Sequence, residues 1–445
     1  MLQTLISAFK NKDIRRKILI TLGLLFIYRL ASYIPVPGIA PDAFRDAGGD
    51  DMASMLWLLS SLTGGALANG ALVAIGIAPY INASIIVQLL TVAIPKLEQW
   101  SKQGEDGKRK INNLTRILTL VLAIAQATGI VVNYGLSGGF YPIFGYTANQ
   151  NVALPGLVGV IVATVLVAGA MITMWLGERI TEMGVGNGIS LLIFVGILST
   201  AGLSVIHTVT QFGASDTAVW EFIGFLLMVL AVFAFIVFID LSERRIPIQY
   251  AKQIKGRKQY GGQSTFIPIK INAAGVLPII FANAITTFPQ LLFSLIPANN
   301  ANSWWARFND WWQRWLGMGQ PIYIVVTGIL IFFFSYFYAR MQFNPEEVAR
   351  NIQQYGGFVP GIRPGKPTQE YLTRITHRIT FWGALFLAII AIVPSILFSQ
   401  LLSDGSMLLH GFTATGMLIV VSVALEFEKQ LQSQLMMKQY KGFLK

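Results

Sequence analysis

Ten apolar stretches, at roughly 18 to 36, 71 to 94, 114 to 134, 152 to 176, 189 to 210, 218 to 239, 273 to 297, 321 to 341, 379 to 402 and 406 to 425, run the length of this chain. Each is close to the roughly 20 residues at which an α-helix crosses a hydrocarbon core. Such a chain has few options. In lipid every backbone N–H and C=O must be bonded within the protein, which leaves helices or a closed barrel. Strand-like alternation does not accompany these runs, so a barrel is excluded. We expect an all-α polytopic membrane protein with ten transmembrane helices. The composition agrees: 54% hydrophobic residues, 12% charged and a mean hydropathy of +0.59 do not fit soluble packing.

The first stretch follows Lys10, Lys12, Arg15, Arg16 and Lys17 but contains Arg29 and runs into Pro35-Val36-Pro37-Gly38 rather than a small-residue cleavage site. It reads as a retained span, not a signal peptide. Ten spans place both termini on one side. Sorted by side, 29 of the 33 Lys and Arg fall with the termini, only Arg45, Arg307 and Arg314 fall opposite, and Arg29 lies within span one. The positive-inside rule then expects cytoplasmic termini, with large cytoplasmic loops at about 240 to 272 and 340 to 378. The net charge of +12 is mostly an orientation signal.

Two segments leave this pattern. Residues 52 to 63 (MASMLWLLSSLT) are apolar but too short to span and are closed by Gly64-Gly65, which reads equally as a re-entrant helix or as a helix lying on the membrane surface. Residues 304 to 316 place Trp304, Trp305, Phe308, Trp311, Trp312, Trp315 and Leu316 at helical spacing, with Arg307, Asp310, Gln313 and Arg314 opposite. That is an amphipathic helix anchored in the outer interface.

The chemistry the chain lacks is as informative. It has no Cys, and its three His (His207, His377 and His410) are scattered, so thiolate, zinc and haem chemistry find no ligand sets. Buried charge marks ion and proton pathways, yet the interiors of the spans, away from their end residues, carry only Arg29, with Asp240 at an inner boundary. Gly361-Ile362-Arg363-Pro364-Gly365-Lys366 is one residue short of a phosphate loop and has no Ser or Thr after the Lys. Gly184-Val185-Gly186-Asn187-Gly188 is a turn into span five. We expect neither an enzyme nor a bound cofactor. Polar groups without charge remain, among them Asn82, Gln126, Asn283 and Thr287, which by themselves read as interhelical hydrogen-bonding residues.

Particular runs go further. Pro35-Val36-Pro37-Gly38, Gly64-Gly65-Ala66-Leu67, Pro79-Tyr80-Ile81-Asn82-Ala83-Ser84-Ile85-Ile86, Gly186-Asn187-Gly188-Ile189-Ser190, Glu243-Arg244-Arg245-Ile246-Pro247 and Phe358-Val359-Pro360-Gly361-Ile362-Arg363-Pro364-Gly365 together resemble the bacterial SecY family, the channel subunits of the Sec translocon. The resemblance runs in order along essentially the whole chain. It implies two pseudo-symmetric five-helix halves, residues 1–210 and 211–445, around a pore that opens across the membrane and sideways into lipid. Residues 52 to 65 would be its plug. Spans two, three, seven and eight would form the lateral gate, with Asn82, Gln126, Asn283 and Thr287 as a polar seam. The implied partners are the small subunits SecE and SecG, the SecA ATPase or a ribosome, an unfolded polypeptide with its signal sequence, and lipid. The implied place is the bacterial plasma membrane.

Two residue sets follow. Ile81 and Ile85, like Ile189 and Ile193, are spaced i, i+4 and share a helix face, which by spacing alone describes bundle core. The resemblance aligns Ile280 and Ile419 with them as a pore ring. With no motif for hydrolysing ATP, work has to enter through cytoplasmic docking surfaces. Residues 240 to 272 surround Arg244 and Arg245 with an alternating, turn-containing segment expected to form a hairpin. Residues 356 to 367 brace Arg363 with glycines and prolines, and in SecY relatives the matching arginine is needed for SecA-driven transport. The runner-up class is a secondary transporter, whose broken helices look similar; the scarcity of buried ionisable groups favours the channel.

Overall fold

The computed structural model describes residues 2–39, 63–136, 155–210, 218–250, 253–255, 258–260, 264–272, 275–295, 304–317, 320–401 and 413–443. The expected plug helix at 52 to 62 lies outside them. The helices are α1 Leu2–Lys10, α2 Lys12–Ala31, α3 Ala78–Ala93, α4 Pro95–Lys102, α5 Glu105–Leu136, α6 Pro155–Met183, α7 Gly188–Thr210 and α8 Ala218–Leu241. After the short strands β1 Glu243–Tyr250, β2 Gln253–Lys255, β3 Lys258–Tyr260 and β4 Ser264–Lys270 come α9 Leu277–Leu295, α10 Trp304–Leu316, α11 Pro321–Gln342 and α12 Pro345–Gln354. The chain ends with β5 Gly357–Phe358, α13 Lys366–Leu401 and α14 Ala414–Phe443.

Each expected span coincides with a helix. Among the described residues six segments, Glu105–Val132, Leu157–Met183, Gly188–Thr210, Phe222–Leu241, Ile322–Gln354 and Lys366–Pro394, are long and apolar enough to cross a membrane by themselves, and α3 with α4, bent by 102°, would make a seventh. Helices α2, α9 and α14 occupy the remaining three stretches. The bend comes at Ile94, whose extended backbone precedes Pro95 at the start of α4; a residue before proline is pushed out of the helical region. Asn11 separates α1 from α2 by capping: its side chain accepts from the Asp13 N–H at 3.2 Å, satisfying one of the donors a helix start leaves open. The tryptophan-rich segment is helical as expected, with Phe308 stacked between Trp304 (5.7 Å) and Trp311 (6.0 Å).

The chain divides into two compact units that are discontinuous in sequence. The first holds residues 1–222, 284–323 and 402–445. Its main core joins Val36, Leu67, Ala74 and Ile75 from the stretch before α3 to Ala123 and Ala127 of α5 and Val162, Leu166 and Ala170 of α6. Small residues let these backbones approach closely: Gly169 of α6 lies directly against the Leu72 carbonyl. A bidentate pair at 2.8 and 2.9 Å joins Arg116 of α5 to Glu178 of α6. A second cluster, Ala8, Ile14, Ile18, Val185 and Leu431, docks α1 and the start of α2 on the far end of α14.

The glycine run before span five is a turn, as expected. Asn187 caps α7, its Oδ1 accepting from the Ile189 N–H at 3.0 Å. Gly188 faces the Gly177 carbonyl and the Ile180 side chain so closely that a Cβ would overlap both, whereas Gly202, further along α7, has open space around it. Gly188→Ala should therefore destabilise the fold by about 1–3 kcal/mol through overpacking. Gly202→Ala should be neutral or stabilising, because alanine is the better helix former. Thermal unfolding in detergent, followed by tryptophan fluorescence, checks the pair.

The second unit holds residues 223–283 and 324–401. The expected hairpin is present: β1 pairs antiparallel with β4 from Glu243↔Lys270 to Gln249↔Ser264, and β2 pairs with β3 beyond it. On its other edge β1 pairs with β5 through Gln249↔Phe358 and Tyr250↔Gly357, giving the order β4-β1-β5. Proline belongs poorly in a central strand. Pro247 is tolerated because β5 reaches only the last two residues of β1. Beneath this sheet Ile246, Ile248, Ile269, Ala349, Ile352, Val359 and Leu372 form a core of their own. Asp240, the charge at the inner end of span six, accepts from Asn272 Nδ2 at 3.0 Å, tying the return strand to the helix that launched the hairpin.

Candidate functional site

The described residues that carry functional expectations are spread over both units. In the first unit, Thr63 to Ile77 form a compact series of turns instead of the opening of a helix. Backbone bonds hold it to the end of span one, with the Val36 N–H on the Gly70 carbonyl and the Leu72 N–H on the Ile34 carbonyl, both at 2.8 Å. Its first residues are gripped by side chains. Tyr28, almost fully buried, donates to the Thr63 carbonyl at 3.4 Å, and Arg29 donates through Nη1 to the Gly64 carbonyl. The second guanidinium arm donates to Tyr33 Oη at 2.9 Å, and the cation lies over the Tyr33 ring, 4.8 Å from its centre. Gly64 has φ +71°, and a Cβ there would strike Arg29 Nη1 and the backbone of Gly196 in α7. Gly76, two residues before α3, sits against the Thr63 methyl. Sequence reading noted Arg29 and the Gly64-Gly65 pair separately; the 35-residue separation hid their connection.

The isoleucines divide between the units. Ile81 and Ile85 share a face of α3; Ile85 is buried and Ile81 half-buried. On α7, Ile193 is buried and Ile189, half-buried, leans against Gly177 of α6. Gly416 of α14 lies against Ile197 of α7, so Ile193 and Ile419 each sit within one turn of that helix crossing. Ile280, half-buried on α9, belongs to the second unit. Of the polar seam, half-buried Asn82 and Gln126 lie on α3 and α5, which pack on each other. Asn283 belongs to the second unit and Thr287 to the first.

The arginines expected to dock a partner, Arg244, Arg245 and Arg363, are all in the second unit. Arg244 and Arg245 are consecutive on a strand and therefore point to opposite faces. Arg245 pairs with Glu243 at 2.8 Å and lies 4.9 Å from the centre of the Phe266 ring across the hairpin, so a cation and a half-exposed aromatic form one patch. Sequence reading missed Phe266, since cross-strand neighbours are invisible without the register. Arg363 stands exposed between Gly361 (φ +83°) and Gly365 (φ +98°). Its carbonyl accepts from Thr368 Oγ1 at 2.8 Å, and Val359 and Ile362 anchor the loop in the core beneath the hairpin. The pairing of β1 with β5 makes the two basic loops one folded body, which neither sequence segment announces.

Comparison with known proteins agrees with this architecture. The family model of SecY matches residues 71–428. The chain is 41% identical over 453 residues to the protein translocase subunit SecY of Streptomyces galbus, covering all of both chains. Among solved structures it is similar to one described as a protein-conducting channel, with a TM-score of 0.63, 20% identity and coverage of 94% of this chain and 92% of that one. It is also similar to Sec61 in the canine ribosome–channel complex from the endoplasmic reticulum, with a TM-score of 0.59, 18% identity and the same coverage.

Proposed function

This chain belongs to the SecY family of protein translocase subunits, and we propose that it is the passive conduit of a bacterial plasma-membrane translocase, without catalytic chemistry of its own. It passes unfolded secretory polypeptides across the bilayer and releases apolar helices sideways into lipid. The observation that carries this reading is the full-length match to a translocase subunit. In this reading residues 1–210 and 211–445 are its two halves, and residues 52 to 65 its plug. Ile81, Ile85, Ile189, Ile193, Ile280 and Ile419 are its apolar ring, and Asn82, Gln126, Asn283 and Thr287 line the lateral exit. Branched apolar side chains suit a ring that dewets at rest and yields to a passing chain without binding it.

Work enters from outside the chain. The sheet that joins the two basic loops supports a single docking platform carrying Arg244, Arg245 and Arg363 for the SecA ATPase or a ribosome, with SecE and SecG as the small subunits. Similarity to a channel seen with a ribosome supports the ribosomal partner. Reconstitution tests the whole: proteoliposomes holding this chain with its small subunits should import an unfolded precursor only with the motor and ATP. Uptake of a small solute by liposomes holding this chain alone would overturn the reading in favour of a transporter.

The packing of α1 on α14 supports termini on one side, and the charge asymmetry assigns that side to the cytoplasm. Gly256→Cys, between β2 and β3 in sequence, should therefore resist an impermeant thiol reagent in intact cells and react in inverted vesicles. Labelling in intact cells would reverse the orientation.

A further inference from the structure

Of the three Lys and Arg within the ten apolar stretches of the sequence, Arg116 and Arg340 stand within two residues of a stretch's end, and Arg29 alone lies well inside one. A cation at the end of a helix is ordinarily explained in two ways: it complements the helix dipole, or its long stem lets the head group reach interfacial water. Arg29 stands in the last turn of α2 and satisfies the first account, but its half-buried head group is not left to water alone. It turns inward to a backbone carbonyl 35 residues away and is braced there by the Tyr33 hydroxyl and ring. These partners, among the described residues, are all neutral. The carbonyl it holds belongs to Gly64, where a side chain of any size would meet the guanidinium on one side and Gly196 of α7 on the other. One residue earlier, Tyr28 holds Thr63, and the Thr63 methyl bears on Gly76 just before α3.

We infer that Arg29 is a positioning residue: it clamps the Thr63–Gly65 turn between span one and α7 and, through the Thr63 contact with Gly76, sets where α3 begins and hence where Ile81 and Ile85 stand. A guanidinium suits the task because it donates from several directions in a fixed plane, which lets one side chain hold a carbonyl and a hydroxyl together. Its effect is on the resting state of the conduit, so this inference rests on the ring reading above.

The test is resting ion leak through the purified translocon in planar bilayers, with the ring variants Ile81→Gly and Ile189→Gly beside it. Hydrogen bonds to charged groups are strong enough that loss of one shifts the balance between held and released turn by about tenfold or more. Arg29→Leu should raise the leak accordingly, with Arg29→Lys and the neutral donor Arg29→Gln intermediate. Gly64→Ala, which displaces the same contact from the other side, should leak as well. The double variant should leak no more than the worse single one, because both remove one interaction. A wild-type leak from Arg29→Leu and Gly64→Ala while the ring variants leak would overturn the clasp alone, and so would additivity or a mere loss of folded protein. If the ring variants also hold tight, the ring reading itself falls.

Discussion

Bilayers containing the translocon with Ile81 and Ile189 both replaced by glycine should conduct ions at rest about tenfold or more above wild type, with a smaller loss of thermal stability per residue than glycine causes at the buried ring positions. Burial of an isoleucine side chain is worth about 1.5–3 kcal/mol, and each 1.4 kcal/mol removed from a barrier is about a tenfold change in rate. The stability half of the expectation comes from position. Ile81 and Ile189 are half-buried, while Ile85, Ile193 and Ile419 are buried. If the ring is real, the half-buried pair lines the path and its loss is felt by ions. The buried three act twice: glycine in their place should leak and should also cost several kcal/mol through the cavity left behind. Conductance and unfolding midpoint, measured on the same preparations, separate the two roles. Tight bilayers from the Ile81/Ile189 double variant would return these residues to ordinary packing between helices.

The second large effect belongs to Arg363. Arg363→Glu should leave folding and topology unchanged yet reduce motor-driven translocation by about tenfold or more, in the range seen when an arginine anchor is lost from an interface. Folding should be spared because the side chain is exposed and the loop is shaped by other residues: the two left-handed glycines, the Thr368 bond to the Arg363 carbonyl, and Val359 in the core. Arg363→Lys should fall between, since lysine keeps the charge but not the planar donor fork. The assay is ATP-dependent import into inverted vesicles at matched expression, with Gly256→Cys labelling as the topology control. Wild-type import by the Glu variant would reduce this loop to an orientation signal.

Hydropathy made legible that a helix lies in each apolar stretch, because a run of about 20 apolar residues has only one stable conformation in lipid. It misplaced the start of span two. The sequence is apolar from Ala71 onward, but the helix begins at Ala78, since Gly76 at φ +60° and the bonds to Ile34 and Val36 keep residues 71 to 77 in turns. Hydropathy cannot distinguish a buried turn from a buried helix. The hairpin was readable from its alternation and turn residues, whereas its union with the second loop was not: β5 is two residues long and carries no period. The arginines of the docking surface were readable one at a time, but the Arg245–Phe266 patch needed the register. Nothing local in the sequence marks Arg29 as the holder of Gly64, since that contact depends on φ at a glycine and on the approach of α7.

The docking of α1 on α14 also has a consequence in time. Ala8 and Leu431 share one small core, yet Leu431 is synthesised more than 400 residues after Ala8. At roughly 5–20 residues per second, the first helix emerges from the ribosome about 20 to 80 seconds before the surface that receives it exists. Ile6 and Phe9, exposed even after docking, accompany Ala8 through that interval on an amphipathic segment that has Ile14, Ile18 and later Val185 to pack on but not Leu431. A chain stopped before α14 would leave that core without Leu431, so a truncated product would differ from a finished one by the exposure of Ala8 and its neighbours.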